Sequence, residues 1–231
     1  MNNHFLYKLV QFILNEEESG RALTPDNFSD LLAVSSLELA RQVVKVYEDG
    51  QDVTDIIERL KTSDTLTFTV GEANLPSDYY RKSYLLIGDI NAEFVTDAEF
   101  AKRKGSVLKA PSASYPIVKI AGGKVIVSPA SITTGDFNYI KKPETPFYDY
   151  YYNALGRVVY LEEDASHTLL ADEEGRQGES TGATVTSSSK ELDWNDNEKL
   201  IIVGMICSKA GVNIGEAGIV EYAEMLKQQQ A

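Results

Sequence analysis

Few side chains in this sequence are of the types that carry out catalysis or bind metal ions. The histidines are His4 and His167, and the one cysteine, Cys207, lies inside the apolar run "LIIVGMIC". Zinc sites and Ser-His-Asp arrangements need several such residues at defined spacings, and neither histidine has suitable neighbours. A cysteine in an apolar helical segment is typical of a buried thiol. We therefore predict no cofactor, no metal site and no catalytic residue of these classes.

Three carboxylate runs and one glycine-lysine motif offer the remaining chemistry. The runs lie at 16–18, 162–164 and 172–174, and no loop with alternating oxygen ligands surrounds any of them. A solvated acidic surface is therefore the favoured interpretation over an acid/base pair. The motif "AGGKV" lacks the upstream glycine and the Ser or Thr of a phosphate-binding loop, and it joins two strand-like segments. It predicts a hairpin turn, and we expect that the protein is not an enzyme.

Composition and charge narrow the possible partners. Hydrophobic residues make up 43% and charged residues 25%, which is typical of a soluble globular protein, and the apolar runs are too short to span a bilayer. The N-terminal segment lacks the features of a secretory signal, so export is not expected. A net charge of −13 disfavours a free-standing nucleic-acid binder. The acidity is uneven: residues 65–146 carry 10 basic and 8 acidic side chains, whereas 1–64 carry 6 and 12 and 147–231 carry 6 and 15.

Helical periodicity dominates the first 64 residues. We predict one helix over about 3–17 and a second over about 25–48, with Thr24 as its N-cap and Pro25 at its first position. The segment "DVTDIIERLKTSD" predicts a third, short helix or helical turn.

From residue 65 the hydrophobic period changes to two, which indicates strands. The clearest signal is "YPIVKIAGGKVIVSP", two strands joined across Ala121, Gly122 and Gly123, followed by the strand "TGDFNYIKKP". Between the strands, "DAEFAKRKGS" predicts a brief helix.

After the prolines at 143 and 146, helical signals return only near the C-terminus. The stretch 171–190 is acidic and rich in Ser and Gly, and it predicts a flexible loop. A helix is expected after Asn195, with Glu198 completing a capping box and Gly211 ending the helix. A last helix would carry Ile219, Tyr222, Ala223 and Leu226 on one face.

These patterns predict an α+β fold in which the N- and C-terminal helices pack together and a compact antiparallel β region is inserted between them. The predicted divisions are a helical segment at 1–64, the β region at 65–146, a tyrosine-rich segment and flexible loop at 147–190, and a helical segment at 191–231.

The segment "FNYIKKPETPFYDYYYN" is the strongest candidate for an interface. We expect that 137–140 forms the last strand of the β region and that the prolines fix an exit delivering the tyrosines at 148–152 to a subunit boundary. Two alternatives stay open: the tyrosines form the wet edge of a core, or the lysines protect a sheet edge from aggregation. The predicted interface residues are Tyr139, Lys141, Lys142, Pro143, Tyr148, Tyr150, Tyr151 and Tyr152.

The order of several segments resembles the head-to-tail connector proteins, also called ring or adaptor proteins, of crAss-like tailed bacteriophages. The resemblance spans nearly the whole chain, and each motif is structural in kind. The segments are "FILNEEESGRALTPDNFSDLLAVSSLELARQ", "LPSDYYR", "YPIVKI" with "GGKVIVSP", "FNYIKKPETP" and "ELDWNDNEKLIIVGMICSKAGVNIGEAGIVEYAE".

This resemblance implies a virion structural protein located in the neck, and in the host cytoplasm during assembly. It implies a ring, commonly of twelve copies, that contacts the portal protein on one side and further neck or tail proteins on the other. The genome DNA would pass through the ring without sequence-specific binding, and no membrane would be involved. A monomeric, non-catalytic β-domain that binds a ligand is the alternative, and a hydrolase using a carboxylate pair is a third hypothesis.

Overall fold

The computed structural model describes residues 1–16, 23–45, 56–211 and 218. It has the predicted α+β fold, and these residues include four α-helices and several small sheets. The chain divides into two compact units, one formed by Met1–Ile56 with Pro143–Ala231 and the other by Ile57–Lys142. We call the first the end unit and the second the inserted unit. The predicted β region, 65–146, overlaps most of the inserted unit.

Long helices lie towards both ends of the chain, and the segment between them contains short strands and a short α-helix. The helices are α1 (Asn3–Glu16), α2 (Pro25–Lys45), α3 (Asp97–Lys104) and α4 (Asp196–Lys209). The strands are β1 (Lys61–Thr67), β2 (Glu72–Asn74), β3 (Tyr79–Ile87), β4 (Ile90–Asn91), β5 (Glu93–Phe94), β6 (Ile117–Ala121), β7 (Lys124–Ser128), β8 (Thr134–Lys141), β9 (Tyr150–Tyr152), β10 (Val158–Tyr160), β11 (Ser166–Thr168), β12 (Glu174–Gly175) and β13 (Thr184–Thr186).

Helices α1, α2 and α4 belong to the end unit, and α4 packs against both of the others. The prediction that the terminal helices pack together is therefore confirmed. Helix α2 begins as predicted, because the Thr24 Oγ1 atom accepts a hydrogen bond from the Asn27 N–H at 3.3 Å. Just before α4, the indole N–H of the buried Trp194 donates to the Ser36 hydroxyl on α2 at 2.9 Å.

Within its described residues, the segment predicted as a short helix or helical turn contains the 3₁₀ turn Glu58–Leu60, which confirms the helical turn, and from Lys61 onward it pairs with β8 as strand β1. One expectation about a helix end is corrected by the structure. The predicted capping box does not form: the Asn195 side chain makes no cap hydrogen bond, and within the described residues the Glu198 Oε2 atom is buried without a partner. Tertiary packing around Glu198 overrides the local preference. The predicted last helix, with Ile219, Tyr222, Ala223 and Leu226, lies outside the described residues.

The inserted unit contains two four-stranded sheets that share one hydrophobic core. Their strand orders are β1-β8-β3-β4 and β2-β7-β6-β5, and the β5–β6 pair is parallel while the other pairs are antiparallel. Strand β8, the last in the unit along the chain, lies between β1 and β3. Its alternation places Phe137 and Tyr139 in the core together with Leu85, Val118 and Val127.

The predicted hairpin is confirmed at β6–β7. Ala121 pairs with Lys124, so the turn consists of Gly122 and Gly123, whose φ angles are 59° and 74°. Two successive positive φ angles are what a two-residue hairpin turn with the correct twist requires.

The turn before β2 requires a glycine both for its backbone dihedral angle and for the space beside its Cα atom, and two substitutions distinguish these requirements. Gly71 has a φ of 79°, and a Cβ atom there would lie 2.9 Å from the Val127 carbonyl oxygen. Gly71→Ala is expected to lower the free energy of unfolding by at least about 2 kcal/mol, because a strained dihedral and a backbone clash add together. The matched control is Gly122→Ala, where φ is also positive but no atom lies within 4 Å of the new Cβ. It should cost only about 1 kcal/mol. Urea denaturation checks this, and equal losses for the two variants would contradict the clash.

Candidate functional site

The tyrosines predicted to form an interface lie largely in the interior of their own chain. Tyr139 is 2% exposed, Tyr148 0% and Tyr150 4%, and Pro143 is also buried. The expectation that these residues face a neighbouring subunit is corrected for these positions. The rings of Tyr139, Tyr148 and Tyr150 are buried in the unit to which each residue belongs.

Tyr148 occupies the centre of an aromatic cluster in the end unit. Its ring lies 5.0 Å from that of Tyr7 on α1, 5.7 Å from Phe28 on α2 and 4.8 Å from Tyr160 on β10, measured between centroids. Its backbone N–H donates to the Ser29 hydroxyl at 3.2 Å. Aromatic rings at such distances and mixed angles stabilise a core beyond the area that they bury. The tyrosine-rich segment therefore joins two helices to the strands of the end unit.

His4 is the polar partner of this cluster. Its Nδ1 atom lies 2.9 Å from the Tyr148 hydroxyl, and its ring stacks on Tyr160 at 5.5 Å. Burial, followed by the nearby charge of Lys8, lowers the pKa of His4 to about 4. Burial likewise raises the pKa of the Tyr148 phenol above its ordinary value. Both groups are therefore uncharged at neutral pH, which suits a structural role.

Tyr139 has a comparable place in the inserted unit. Its hydroxyl lies 2.9 Å from Asp64 Oδ2 and 2.8 Å from Asp78 Oδ1. Burial, followed by these two carboxylates, raises the pKa of the Tyr139 phenol. The hydroxyl thus links β8 to β1 and to the segment before β3.

The remaining predicted interface residues are accessible to different degrees. Tyr151 is half-buried and stacks on His167 at 4.2 Å, and Tyr152 is half-buried with its ring edge-on to Tyr150 at 5.4 Å. Lys142 is exposed, whereas Lys141 is half-buried in strand β8. A role of Tyr151, Tyr152, Lys141 and Lys142 in an interface stays a prediction.

The stretch predicted as a flexible loop, 171–190, contains strands β12 and β13 and ends in a hydrogen-bonded cluster. The buried Asp149 accepts from the Ser188 N–H at 2.8 Å, and its own N–H donates to the Ser189 hydroxyl at 2.9 Å. The Ser189 hydroxyl also donates to the Leu161 carbonyl at 2.6 Å. Because serine-rich composition is shared by linkers and by such clusters, the sequence contains no signal that distinguishes them.

A tight turn between β11 and β12 presents an exposed leucine that is followed along the chain by three carboxylates. Glu173 accepts from the Leu170 N–H and approaches His167 Nε2, both at 2.7 Å, and these two bonds in that order lower the pKa of Glu173. Leu170 is 64% exposed, and Asp172 and Glu174 on either side of Glu173 are also exposed. We call residues 170–174 the acidic turn.

A long loop in the inserted unit presents apolar side chains among lysines. Val107 and Leu108 are each 96% exposed and Tyr115 is 79% exposed. Grooves of about 630 Å³ and 390 Å³ adjoin the loop, and Arg103 and Lys109 line both. We call residues 102–115, from the end of α3 to the start of β6, the basic loop.

Within the residues that the structure describes, the lysines of the basic loop form no ion pair with a carboxylate, whereas several other cations of the inserted unit do. The stretch 101–135 has six basic and no acidic residues. Arg103 binds Glu93 and Glu99, Lys119 binds Asp97 and Lys124 binds Glu72. In the described part of the chain, no carboxylate forms an ion pair with the exposed Lys102, Lys104 or Lys109. This surface is not among the predicted interface residues, although the run of 35 residues without a carboxylate is a signal for it in the sequence.

Across residues 1–16, 23–45, 56–211 and 218, no three His, Cys, Asp or Glu side chains are grouped so that they could hold a metal ion. Cys207 is buried as predicted, and burial raises the pKa of its thiol to about 11. None of the described helices combines the length and apolar character needed to cross a membrane.

Comparison with known proteins does not assign a family. Neither a scan against protein-family models nor a search of curated protein sequences finds a match to this chain.

The buried His4 predicts a specific loss of stability in acid. Its pKa is about 4 in the folded protein and near the ordinary 6.5 when unfolded. As the pH falls, His4 therefore takes up a proton in the unfolded chain before it does so in the folded protein. The contribution of His4 to the free energy of unfolding is fully present above pH 6.5 and is lost between pH 6.5 and 4, by up to about 3 kcal/mol. His4→Gln removes this titration while keeping a polar side chain. Urea denaturation at pH 7 and pH 4.5 should show a smaller loss for the variant than for the natural protein. Identical losses would contradict the assignment to His4.

Proposed function

We propose that this protein is a non-catalytic virion structural protein that forms a ring in the neck of a tailed bacteriophage, between the portal and the tail. The observation that carries the proposal is the exposure of large apolar side chains on the basic loop, foremost Val107 and Leu108. Exposed apolar groups that are surrounded by polar residues mark surfaces that bind other proteins. The order of the sequence segments, which resembles that of crAss-like phage connector proteins, supports a ring as the assembly.

In this role the protein binds copies of itself, the portal protein and further neck or tail proteins, and twelve copies per ring is the number we propose. It is made in the host cytoplasm and ends in the virion neck. The strong excess of carboxylates in the whole chain supports a channel wall along which DNA slides, because like charges repel the phosphate backbone.

A second candidate, a monomeric binding module, is favoured by one observation. The 630 Å³ groove beside the basic loop has the volume of a small-molecule pocket, and it combines Tyr115 and Leu108 with Arg103 and Lys109. An anionic, partly apolar ligand would fit such a lining.

Mass measurement separates the two candidates. Native mass spectrometry and light scattering of the purified protein, alone and mixed with its portal, should detect a species of ring size. Exposed apolar residues should be covered in that species, since their burial is what drives assembly. A protein that stays monomeric under both conditions, while small anions bind the groove, would overturn the ring in favour of the binding module.

A further inference from the structure

The two units of the chain carry opposite net charges. The inserted unit has 12 basic and 9 acidic residues, a net charge of +3, whereas the rest of the chain has 10 basic and 26 acidic residues, a net charge of −16. Charges of opposite sign on separate parts of one chain allow copies of that chain to attract each other through unlike surfaces.

The basic loop is built as one half of such a contact. Lys104 and Lys109 flank Val107 and Leu108 along the chain, and the two apolar side chains are almost fully exposed. Burying them against a partner would be favourable in proportion to the apolar area covered. Lys104 and Lys109, which form no ion pair among the described residues, would meet carboxylates of that partner without first breaking such a pair.

The acidic turn has the complementary arrangement. Leu170 is exposed, and so are Asp172 and Glu174, two and four positions further along the chain, for which no ion pair is formed within the described residues. The turn is braced from inside by Glu173, through its bonds to His167 and to the Leu170 N–H. A braced turn loses little conformational freedom when it binds.

We propose that the basic loop of one copy binds the acidic turn of the next copy, with Leu108 against Leu170 and with Lys104 and Lys109 facing Asp172 and Glu174. This inference rests on the proposed ring function and identifies the surfaces that would close it. The contact joins two different surfaces, so each copy offers one loop and receives another. A repeated head-to-tail contact of this kind generates a ring when the rotation between copies closes.

A second copy fits the basic loop better than nucleic acid does. DNA phosphates would satisfy the lysines, but they would leave Val107 and Leu108 against a polar, charged backbone. The acidic turn matches both features of the loop, since it offers a leucine as well as carboxylates.

Charge reversal tests the pairing. Lys104→Glu with Lys109→Glu should remove the ring-sized species, and so should Asp172→Lys with Glu174→Lys. The chain with all four substitutions should assemble again, because the charges of the basic loop and of the acidic turn are both reversed and remain opposite to each other. Lys8→Glu with Lys45→Glu is the matched control, since it changes the net charge equally at exposed positions on α1 and α2. Light scattering gives the mass and circular dichroism confirms folding. Failure of the fourfold variant to recover, or loss of assembly in the control, would overturn the proposal.

Disulfide crosslinking tests the contact independently of ring closure. Leu108→Cys and Leu170→Cys are placed in separate chains of different mass, so that only bonds between copies are counted. Under mild oxidation this pair should crosslink at least about tenfold more than Leu108→Cys with Val34→Cys, an exposed apolar position on α2. Equal yields for the two pairs would overturn the pairing.

The two experiments separate the inference from the proposed function. Specific crosslinking in a protein that forms no ring, with or without portal, would retain the contact and overturn the ring. A ring without specific crosslinking would retain the function and overturn the contact, and loss of both would overturn both. Binding of double-stranded DNA that Lys104→Glu with Lys109→Glu abolishes, while self-association is unchanged, would assign the loop to phosphate and overturn the proposal.

Discussion

The burial of Tyr148 is the interaction on which the end unit depends. Its ring contacts Tyr7, Phe28 and Tyr160, and its hydroxyl approaches His4, so one side chain joins two helices and a strand that are far apart in the sequence. Such a centre forms only if the chain returns to the helices after the inserted unit. The geometry of the insertion allows this return, because its first and last strands are neighbours and Lys61 lies opposite Ile140. A unit whose ends lie together can be inserted into another with little disturbance.

The hydroxyl groups of the buried tyrosines have hydrogen-bond partners close by, which explains how several phenols can be buried in the cores. Tyr139 lies between two carboxylates, Tyr148 meets His4, and Tyr150 donates to Asp26 at 3.2 Å. Burial keeps these phenols protonated, so each one behaves as a large aromatic residue with one hydrogen bond to place. The density of tyrosines thus reflects cores that contain polar groups.

Tyr139, Tyr148 and Tyr150 are buried in the cores, whereas two other segments, the basic loop and the acidic turn, present exposed apolar side chains with charged neighbours. The basic loop and the acidic turn combine exposed aliphatic side chains with charged side chains that form no ion pair in the described part of the chain, namely Lys104 and Lys109 in the loop and Asp172 and Glu174 in the turn. Exposed apolar area favours association without direction, and the flanking charges supply orientation and discrimination. The opposite net charges of the two units extend the same logic to the whole chain.

Elements whose signals lie within a few neighbouring residues could be predicted from the amino-acid sequence. The apolar face of α1, the Thr24 cap of α2, the Gly122–Gly123 hairpin and the burial of Cys207 all follow from residue type and spacing within a few positions. The α+β class followed from where the hydrophobic period changes. Tertiary structure decided the side chains whose environment is set by distant parts of the chain. The sequence pattern predicts Tyr148 to be an interface residue, but in the structure α1 and α2 cover its ring. The pattern predicts that Glu198 caps a helix, but its side chain is buried in the packed unit. It places Ser189 in a flexible loop, but the Ser189 hydroxyl is hydrogen-bonded to Asp149. The physical reason is that burial depends on the neighbours that folding brings, whereas caps and turns depend only on the residues beside them.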